Sequence, residues 1–375
     1  MSIEKPRVLH LVYDLIRGGS EGQCARVAME LARRGRCHRV ATFHRRGFFL
    51  ERVEAACGPV HVIGIRSFAS WTTLREIRRL AAFIRTERFD VVHGWDTDAC
   101  IFGPPAARQA GVPFITSRRN LAEALPPHKR WLLRRADRRA AAVVVNADAV
   151  REQVLGRAFP VSKTVKIPNA VDLEEWDGLR SAPSVDVRRL PQGPVVGIVC
   201  RLDPEKDVDT FLRAAAVVAR ARKDASFAIA GDGRERTRLQ CLAAELGLAE
   251  RAVFCGDVAD TAPLIARFAM GVLTPCRNEG LSNSILEYMA AGIPVVATDC
   301  GGNRELVGGY EAGRVVPIGD ATAAARAIES LLDDPAAAAK MGRNGRRGVE
   351  EHHVLRPVAD RFEALYERVA VAATR

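Results

Sequence analysis

The sequence predicts an α/β protein of two domains, each a parallel sheet covered by helices on both faces. Three observations lead to this class. The chain of 375 residues is too long for one ordinary core and suits two domains of about 150–200 residues each. Short apolar runs rich in Val, Ile and Ala alternate with helix-length segments through both halves, as strands buried on both faces do. Between the halves, over Ser181–Pro194, Ser, Pro and Gly gather and the periodicity lapses, which marks a linker.

In the first half, Arg7–Asp14 reads as a strand and Glu21–Arg34 as a helix closed by Gly35. Arg39–His44, Val60–Ile63, Val91–His93, Phe114–Thr116 and Ala141–Asn146 read as further strands, each separated from the next by a helix-length segment. In the second half the strands are Val195–Cys200, Ser226–Ala230, Ala252–Cys255, Gly271–Pro275 and Pro294–Thr298, and Leu355–Ala372 is helical by pattern. The domains are expected at 1–180 and 194–354, with a terminal segment 355–375.

Composition narrows the class. Apolar residues make up 48% and charged residues 27% of the chain, the balance of a soluble globular protein. No apolar run approaches the ~20 residues that span a bilayer. The opening MSIEKPRVLHLVYDL does not read as a signal peptide, so a cytoplasmic protein is expected. The nine cysteines form no C-x-x-C pair and read as reduced thiols, and neither they nor His352-His353 complete a metal site.

Charge is unevenly spread. Residues 1–165 carry 29 Lys and Arg against 15 Asp and Glu, a net of +14 (29 − 15), and residues 166–375 carry 27 against 30, a net of −3 (27 − 30). The basic half is the one expected to face something anionic.

The most informative stretch is Arg277–Val307, RNEGLSNSILEYMAAGIPVVATDCGGNRELV. Glu279 and Glu287 flank the small polar turn Gly280-Leu281-Ser282-Asn283, after which a helix starts and Gly292-Ile293-Pro294 closes it. A helix N-terminus attracts phosphate, and carboxylates accept hydrogen bonds from sugar hydroxyls. Taken singly, each acid also has a plain reading: Glu287 as the capping-box partner of Ser284, Glu279 as a loop carboxylate.

The arrangement resembles the E-x7-E signature of retaining glycosyltransferases of the GT-B fold, family four. Arg201-Leu202-Asp203-Pro204-Glu205-Lys206 resembles that family's R-L-x-x-E-K loop, and Gly231–Arg236 its G-D-G-x-E-R turn. Ile167–Asp172 resembles its P-N-G/A-V-D segment, and Arg17–Glu21 its G-G-A-E loop. The resemblance covers nearly the whole chain in order. It implies two Rossmann-like domains with parallel sheets facing across a cleft, and a C-terminal helix crossing back to the first domain. It also implies retaining transfer of a sugar from a UDP-, GDP- or ADP-sugar to a glycan or lipid-linked acceptor, with no metal and no cofactor.

Residue roles follow from the resemblance. Arg201 and Lys206 meet the diphosphate, Glu279 the transferred sugar and Glu287 the ribose, while Gly280, Leu281, Ser282 and Asn283 serve the sugar and phosphate. Gly18 and Gly19 approach the phosphate from the first domain, and His93 contacts the donor sugar. The catalytic set is then His93, Glu279, Arg201 and Lys206. Residue chemistry leaves alternatives beside these roles: Lys206 paired with Glu205, Gly18-Gly19 as a simple turn, His93 as a satisfied core histidine. Arg118 or Arg119, after another strand, is a further candidate for phosphate or acceptor. Asp96-Thr97-Asp98 spells D-x-D but reads as the start of a helix rather than a metal site. Asp207 stands where the family usually has glycine after the lysine.

The basic excess concentrates in Arg33–Arg46, Arg75–Arg88 and His128–Arg139. The run His128–Arg135 mixes cations with Trp131 and Leu132, as membrane-surface helices do, so peripheral contact with an anionic membrane is expected; a solvated basic face is the alternative. Nucleic acid is not expected as a partner, because no stacking aromatics interleave with the cations. A Rossmann dehydrogenase is disfavoured because Arg236 occupies the third glycine position of Gly231-x-Gly233. A non-hydrolysing sugar-nucleotide epimerase of GT-B fold is the nearest enzymatic alternative.

Overall fold

The computed structural model describes residues 5–64, 71–123, 125–156, 159–182, 187 and 190–373. It divides into two compact units, Met1–Asn169 with Leu355–Arg375, and Ala170–Val354. The first unit thus ends ahead of the position 180 read from the sequence. Local bonding accounts for this. Val171 N–H donates to the His353 carbonyl at 2.8 Å, and Val171 pairs with Val354 in a parallel bridge, which holds the start of the second unit to its own end. Of the expected linker Ser181–Pro194, residues 183–186 and 188–189 lie outside the described residues.

The first unit carries a seven-stranded sheet in the order β3-β2-β1-β4-β5-β6-β7. Its strands are β1 (Val8–Val12), β2 (His38–Thr42), β3 (His61–Val62), β4 (Val91–Gly94), β5 (Phe114–Arg118), β6 (Ala142–Val145) and β7 (Thr164–Lys166). Every pairing is parallel. β7 has a single apolar residue, so the sequence carried no strand signal there. Its register comes from β6, with Val145 opposite Lys166. Helices α1 (Gly19–Arg33), α2 (Leu50–Cys57), α3 (Trp71–Thr86), α4 (Thr97–Ala110), α5 (Pro127–Arg139) and the single turn α6 (Asp148–Val150) make the connections.

The terminal helix, Leu355–Ala373, belongs to this unit. Val358, Phe362, Leu365, Tyr366 and Val369 recur at helical spacing and are buried. Arg36 Nε bonds Glu363 at 2.6 Å, and Lys5 and Arg34 pair with Glu367 and Asp360 along the same helix. Each fully buried large side chain here contributes about 1.5–3 kcal/mol, so the apolar stripe outweighs the exposed ion pairs.

The second unit carries a six-stranded sheet in the order β10-β9-β8-β11-β12-β13. Its strands are β8 (Val195–Val199), β9 (Ser226–Ala230), β10 (Ala252–Gly256), β11 (Met270–Leu273), β12 (Val295–Thr298) and β13 (Gly313–Val316), again all parallel. β13 escaped the sequence reading. Gly313 is required there, since a Cβ would lie 1.8 Å from the Val295 carbonyl oxygen of the neighbouring strand. The helices are α7 (Leu173–Leu179), α8 (Val208–Ala221), α9 (Arg236–Glu245), α10 (Thr261–Ile265), α11 (Asn283–Ala290), α12 (Asn303–Val307), α13 (Ala321–Asp333) and α14 (Pro335–His352).

Candidate active site

β8 and β11 lie side by side, yet the chain leaves β8 toward β9 and β11 toward β12. The two connections diverge at the carboxyl ends of these strands, and such a switch point opens the crevice where parallel sheets bind ligands. Arg201 and Lys206 stand in the loop after β8. Glu279 to Ser282 stand in the loop after β11, and Asn283 and Glu287 in the helix it feeds.

The two loops are stitched together by backbone. Cys276 N–H donates to the Glu205 carbonyl at 3.0 Å, and Thr274 Oγ1 donates to the Asp207 carbonyl at the same distance. Across this seam the Lys206 ammonium donates to Glu279 Oε2 at 2.5 Å. Burial pulls the Lys206 pKa down, but the Glu279 carboxylate outweighs it and leaves the group raised above its ordinary value. The lysine's partner is therefore Glu279 rather than Glu205. Glu205 instead lies 3.5 Å from Arg201, whose largely exposed guanidinium also meets Asp203 at 2.9 Å.

Asp207, the departure noted in the sequence, adopts φ 43° and ψ 51°. This is the left-handed region that favours glycine and that Asp tolerates better than most residues. Its carboxylate caps α8, accepting from Thr210 Oγ1 at 2.6 Å and from Thr210 N–H at 3.4 Å. The turn after β9 buttresses the same loop. Gly231 has φ 131°, and a Cβ there would lie 1.8 Å from the Cys200 carbonyl oxygen.

α11 is clamped to both switch strands. Ser282 caps it, its Oγ accepting from Ile285 N–H at 3.4 Å. Ser284 Oγ donates to the Val199 carbonyl at 2.7 Å, which corrects the reading of Ser284 as a capping-box partner of Glu287. The buried Tyr288 hydroxyl accepts from Val199 N–H at 2.7 Å and donates to the Val272 carbonyl at 3.3 Å, so it bridges β8 and β11. Its ring lies over Gly271, where a Cβ would come within 2.3 Å of it. Glu287 Oε2 accepts from Thr261 Oγ1 at 3.0 Å. The sequence reading missed Thr261, Ser284 and Tyr288 as positioning residues; only the E-x7-E spacing hinted at a rigid helix start.

In the first unit the analogous switch point lies between β1 and β4. Gly18 caps α1 and Gly19 begins it. A Cβ on Gly18 would sit 2.0 Å from Glu21 Oε2, so the glycine makes room for a carboxylate folded over the helix start. Asp96 accepts from Ala99 N–H at 2.9 Å and Tyr13 N–H at 2.5 Å, the geometry of a helix cap, while Asp98 pairs with Lys129 at 2.9 Å. Burial pushes the Asp96 carboxyl up to about 7.

His93, expected as a contact of the donor sugar, is buried in the core of the first unit. It is 0% exposed, with Nδ1 2.8 Å from the Tyr366 hydroxyl and Nε2 2.8 Å from Ser117 Oγ. Both ring nitrogens are engaged in the core, and burial holds the ring neutral by lowering its pKa far below the usual value. It neighbours a second buried chain, in which Trp95 Nε1 donates to His10 Nδ1 at 2.9 Å and His10 Nε2 lies 2.8 Å from His38 Nδ1. Arg118 is committed to Asp137 at 2.6 Å. Arg119 lies over the Trp95 ring at 4.6 Å and donates to Asn169 Oδ1 at 2.6 Å.

Residues 186–348 match the family described as glycosyl transferases group 1, and residues 17–175 match glycosyltransferase family 4. The chain is 33% identical over 295 residues to the 2-deoxystreptamine glucosyltransferase of Streptomyces kanamyceticus, covering 72% of this chain and 74% of that protein. It is 34% identical to the GDP-mannose-dependent alpha-(1-6)-phosphatidylinositol monomannoside mannosyltransferase of Mycolicibacterium smegmatis, covering 64% and 67%. The fold is similar to that of an Anabaena protein crystallised with UDP-glucose, with a TM-score of 0.84 at 21% identity over 97% of this chain and 100% of that one.

Proposed function

We propose, from the premise that this chain belongs to the group 1 glycosyl transferases of glycosyltransferase family 4 and is a GT-B glycosyltransferase, that it moves a sugar from a nucleotide diphosphate sugar to a glycan or lipid-linked acceptor. Transfer proceeds with retention and needs neither metal nor cofactor. The observation that carries this reading is the meeting of Arg201, Lys206, Glu279 and the α11 start at one switch point.

Negative charge grows on the diphosphate as the sugar departs. Two fixed cations and the positive end of α11 oppose that charge, which is the role a metal plays elsewhere. In the free protein Lys206 rests on Glu279. A diphosphate competes for the ammonium, and Glu279 is released to accept from sugar hydroxyls. Glu287, oriented by Thr261, takes the ribose hydroxyls. The acceptor oxygen attacks the anomeric carbon on the face the leaving group vacates. The C1–O bond to the diphosphate breaks, the new C1–O bond forms, and the acceptor proton passes to a diphosphate oxygen. His93 has no part in this, being committed to Tyr366 and Ser117.

The relatives' names include GDP-mannose-dependent mannosyltransferases, and the Anabaena protein of similar fold was crystallised with UDP-glucose, so GDP-mannose and UDP-glucose head the donor panel. The lipid-linked acceptor and peripheral membrane contact rest on α5, where Trp131 is 60% exposed beside Arg130, Arg134 and Arg135. No helix among the described residues is long and apolar enough to cross a membrane.

The test is donor hydrolysis in excess EDTA, followed by proton NMR. An α-linked donor should release α-sugar first, at a rate EDTA leaves unchanged. Initial β-sugar, or arrest by EDTA, rejects the mechanism.

A further inference from the structure

The second unit holds a cavity at the end of α11 opposite the β8 and β11 loops. Helix α14 presents two faces. Gly342, Gly345 and Gly348 lie on one and let its backbone come close: a Cβ on Gly342 would be 2.0 Å from the Gly292 carbonyl oxygen, and one on Gly345 3.0 Å from Met289. Arg343, Arg346, Arg347 and Glu350 recur at i, i+3, i+4 and i+7 on the adjoining face. The glycine contact therefore draws these arginines around the C-terminal end of α11. With Arg180 they line a cavity of about 390 Å³ whose remaining walls are Ala290, Ala291, Gly292 and Glu350.

The cations differ in their commitments. Arg346 is fixed, donating to Asp177 at 2.7 Å and 2.9 Å, to Glu350 at 2.7 Å and to the Ala290 carbonyl at 2.7 Å. Arg180 shares Asp177 at 3.6 Å. Arg347 meets only the neutral Asn344, at 3.3 Å, and Arg343 has no hydrogen bond or ion pair among the described residues. Four arginines against Glu350 and Asp177 leave two positive charges uncompensated. The surplus sits in the half of the chain whose net charge is negative. A concave site with convergent guanidinium groups suits phosphate oxygens, and the volume lies in the range of small-molecule sites. The walls carry no aromatic ring for a base to stack on, so sugar- or pyrophosphate-like anions fit better than nucleotides.

We propose that this arginine-lined cavity is a second ligand site, taking a free small phosphate compound with two or more anionic groups. The inference does not depend on the reading of the donor site.

Calorimetry with inorganic pyrophosphate tests it, using full-length Arg201→Ala/Lys206→Ala protein so that the donor site does not contribute. One saturable site is expected. Arg343→Ala and Arg347→Ala should each weaken binding about tenfold or more, while Arg343→Lys retains most of it and confirms that the fold is intact. In the native background, Arg343→Ala/Arg347→Ala should leave the thermal shift by nucleotide sugars unchanged. Orthophosphate at equal ionic strength should bind at least tenfold more weakly. Absence of binding, or binding indifferent to both alanine variants, overturns the proposal. Retention on anionic vesicles that needs Arg343 and Arg347, without pyrophosphate binding, also overturns it in favour of a lipid headgroup.

Discussion

The Lys206 ammonium lies 2.5 Å from Glu279 Oε2, joining the loop after β8 to the loop after β11. Side-chain exposure is 19% for Lys206 and 10% for Glu279, so losing one partner strands the other in poor solvent. Lys206→Met should cost about 1–3 kcal/mol at neutral pH. The sign of the pH dependence follows from the raised lysine. Its stabilisation is fully present below its ordinary value of 10.5 and is lost as pH rises through the higher folded value. Urea unfolding of both proteins from pH 7 to 11 should show a constant gap that shrinks above 10.5. A gap that persists undiminished rejects the pairing.

Three buried histidines of the first unit, His10, His38 and His93, make it acid-sensitive. Burial lowers His10 and His93 far below the usual 6.5 and brings His38 to about 4. These rings are neutral in the fold and take up protons on unfolding, so stability is full above 6.5 and falls as pH drops below it. Each contributes about 1.4 kcal/mol per pH unit, and Asp96, raised to about 7 and so protonated in the fold, offsets one of them, so the slope should steepen to about 3 kcal/mol per unit below pH ~5.5. His38→Gln should remove about half of it. Urea titrations from pH 7.5 to 4.5 measure this, and a flat profile contradicts the buried network.

At Asp207 two effects oppose. Glycine would relieve the left-handed backbone, worth about 1–2 kcal/mol, at the loss of a few tenths through the cap. Asp207→Gly should therefore be neutral or slightly stabilising. Asp207→Ala keeps the strain and loses the cap, and should cost about 1–2 kcal/mol. Equal melting temperatures for the two variants would rule out this reading of φ 43°.

Membrane contact is tested through α5. Trp131 and Leu132 are exposed on it, and the Arg135 guanidinium lies 5.7 Å from the Trp131 ring. Vesicles with anionic lipid should retain the protein at low salt and release it as salt rises. Trp131→Ala/Leu132→Ala should weaken retention about tenfold or more, through lost apolar burial. Failure to bind at low salt removes the membrane from the account.

The sheets were legible where strands are buried on both faces, because runs such as Val195–Val199 have few other uses. β7 and β13 were not, being edge strands of three and four residues whose register comes from a neighbour. In the donor loops, spacing identified the acids and the lysine. It could not identify Thr261 or Tyr288, whose partners come from elsewhere in the fold. His93 sits at a strand's carboxyl end, as a ligand-binding residue would, but the terminal helix supplies Tyr366 and closes it off. Of Arg118 and Arg119 the sequence could not choose; Asp137, itself buried, takes Arg118.

The central claim is that the β8 and β11 loops hold a nucleotide diphosphate sugar. Thermal unfolding with a panel of UDP-, GDP- and ADP-sugars tests it most directly. One nucleotide class should raise the melting temperature by several degrees near saturation, and the shift should vanish in Lys206→Ala and in Glu287→Ala. No shift with any nucleotide sugar, or a shift that survives both substitutions, contradicts the account.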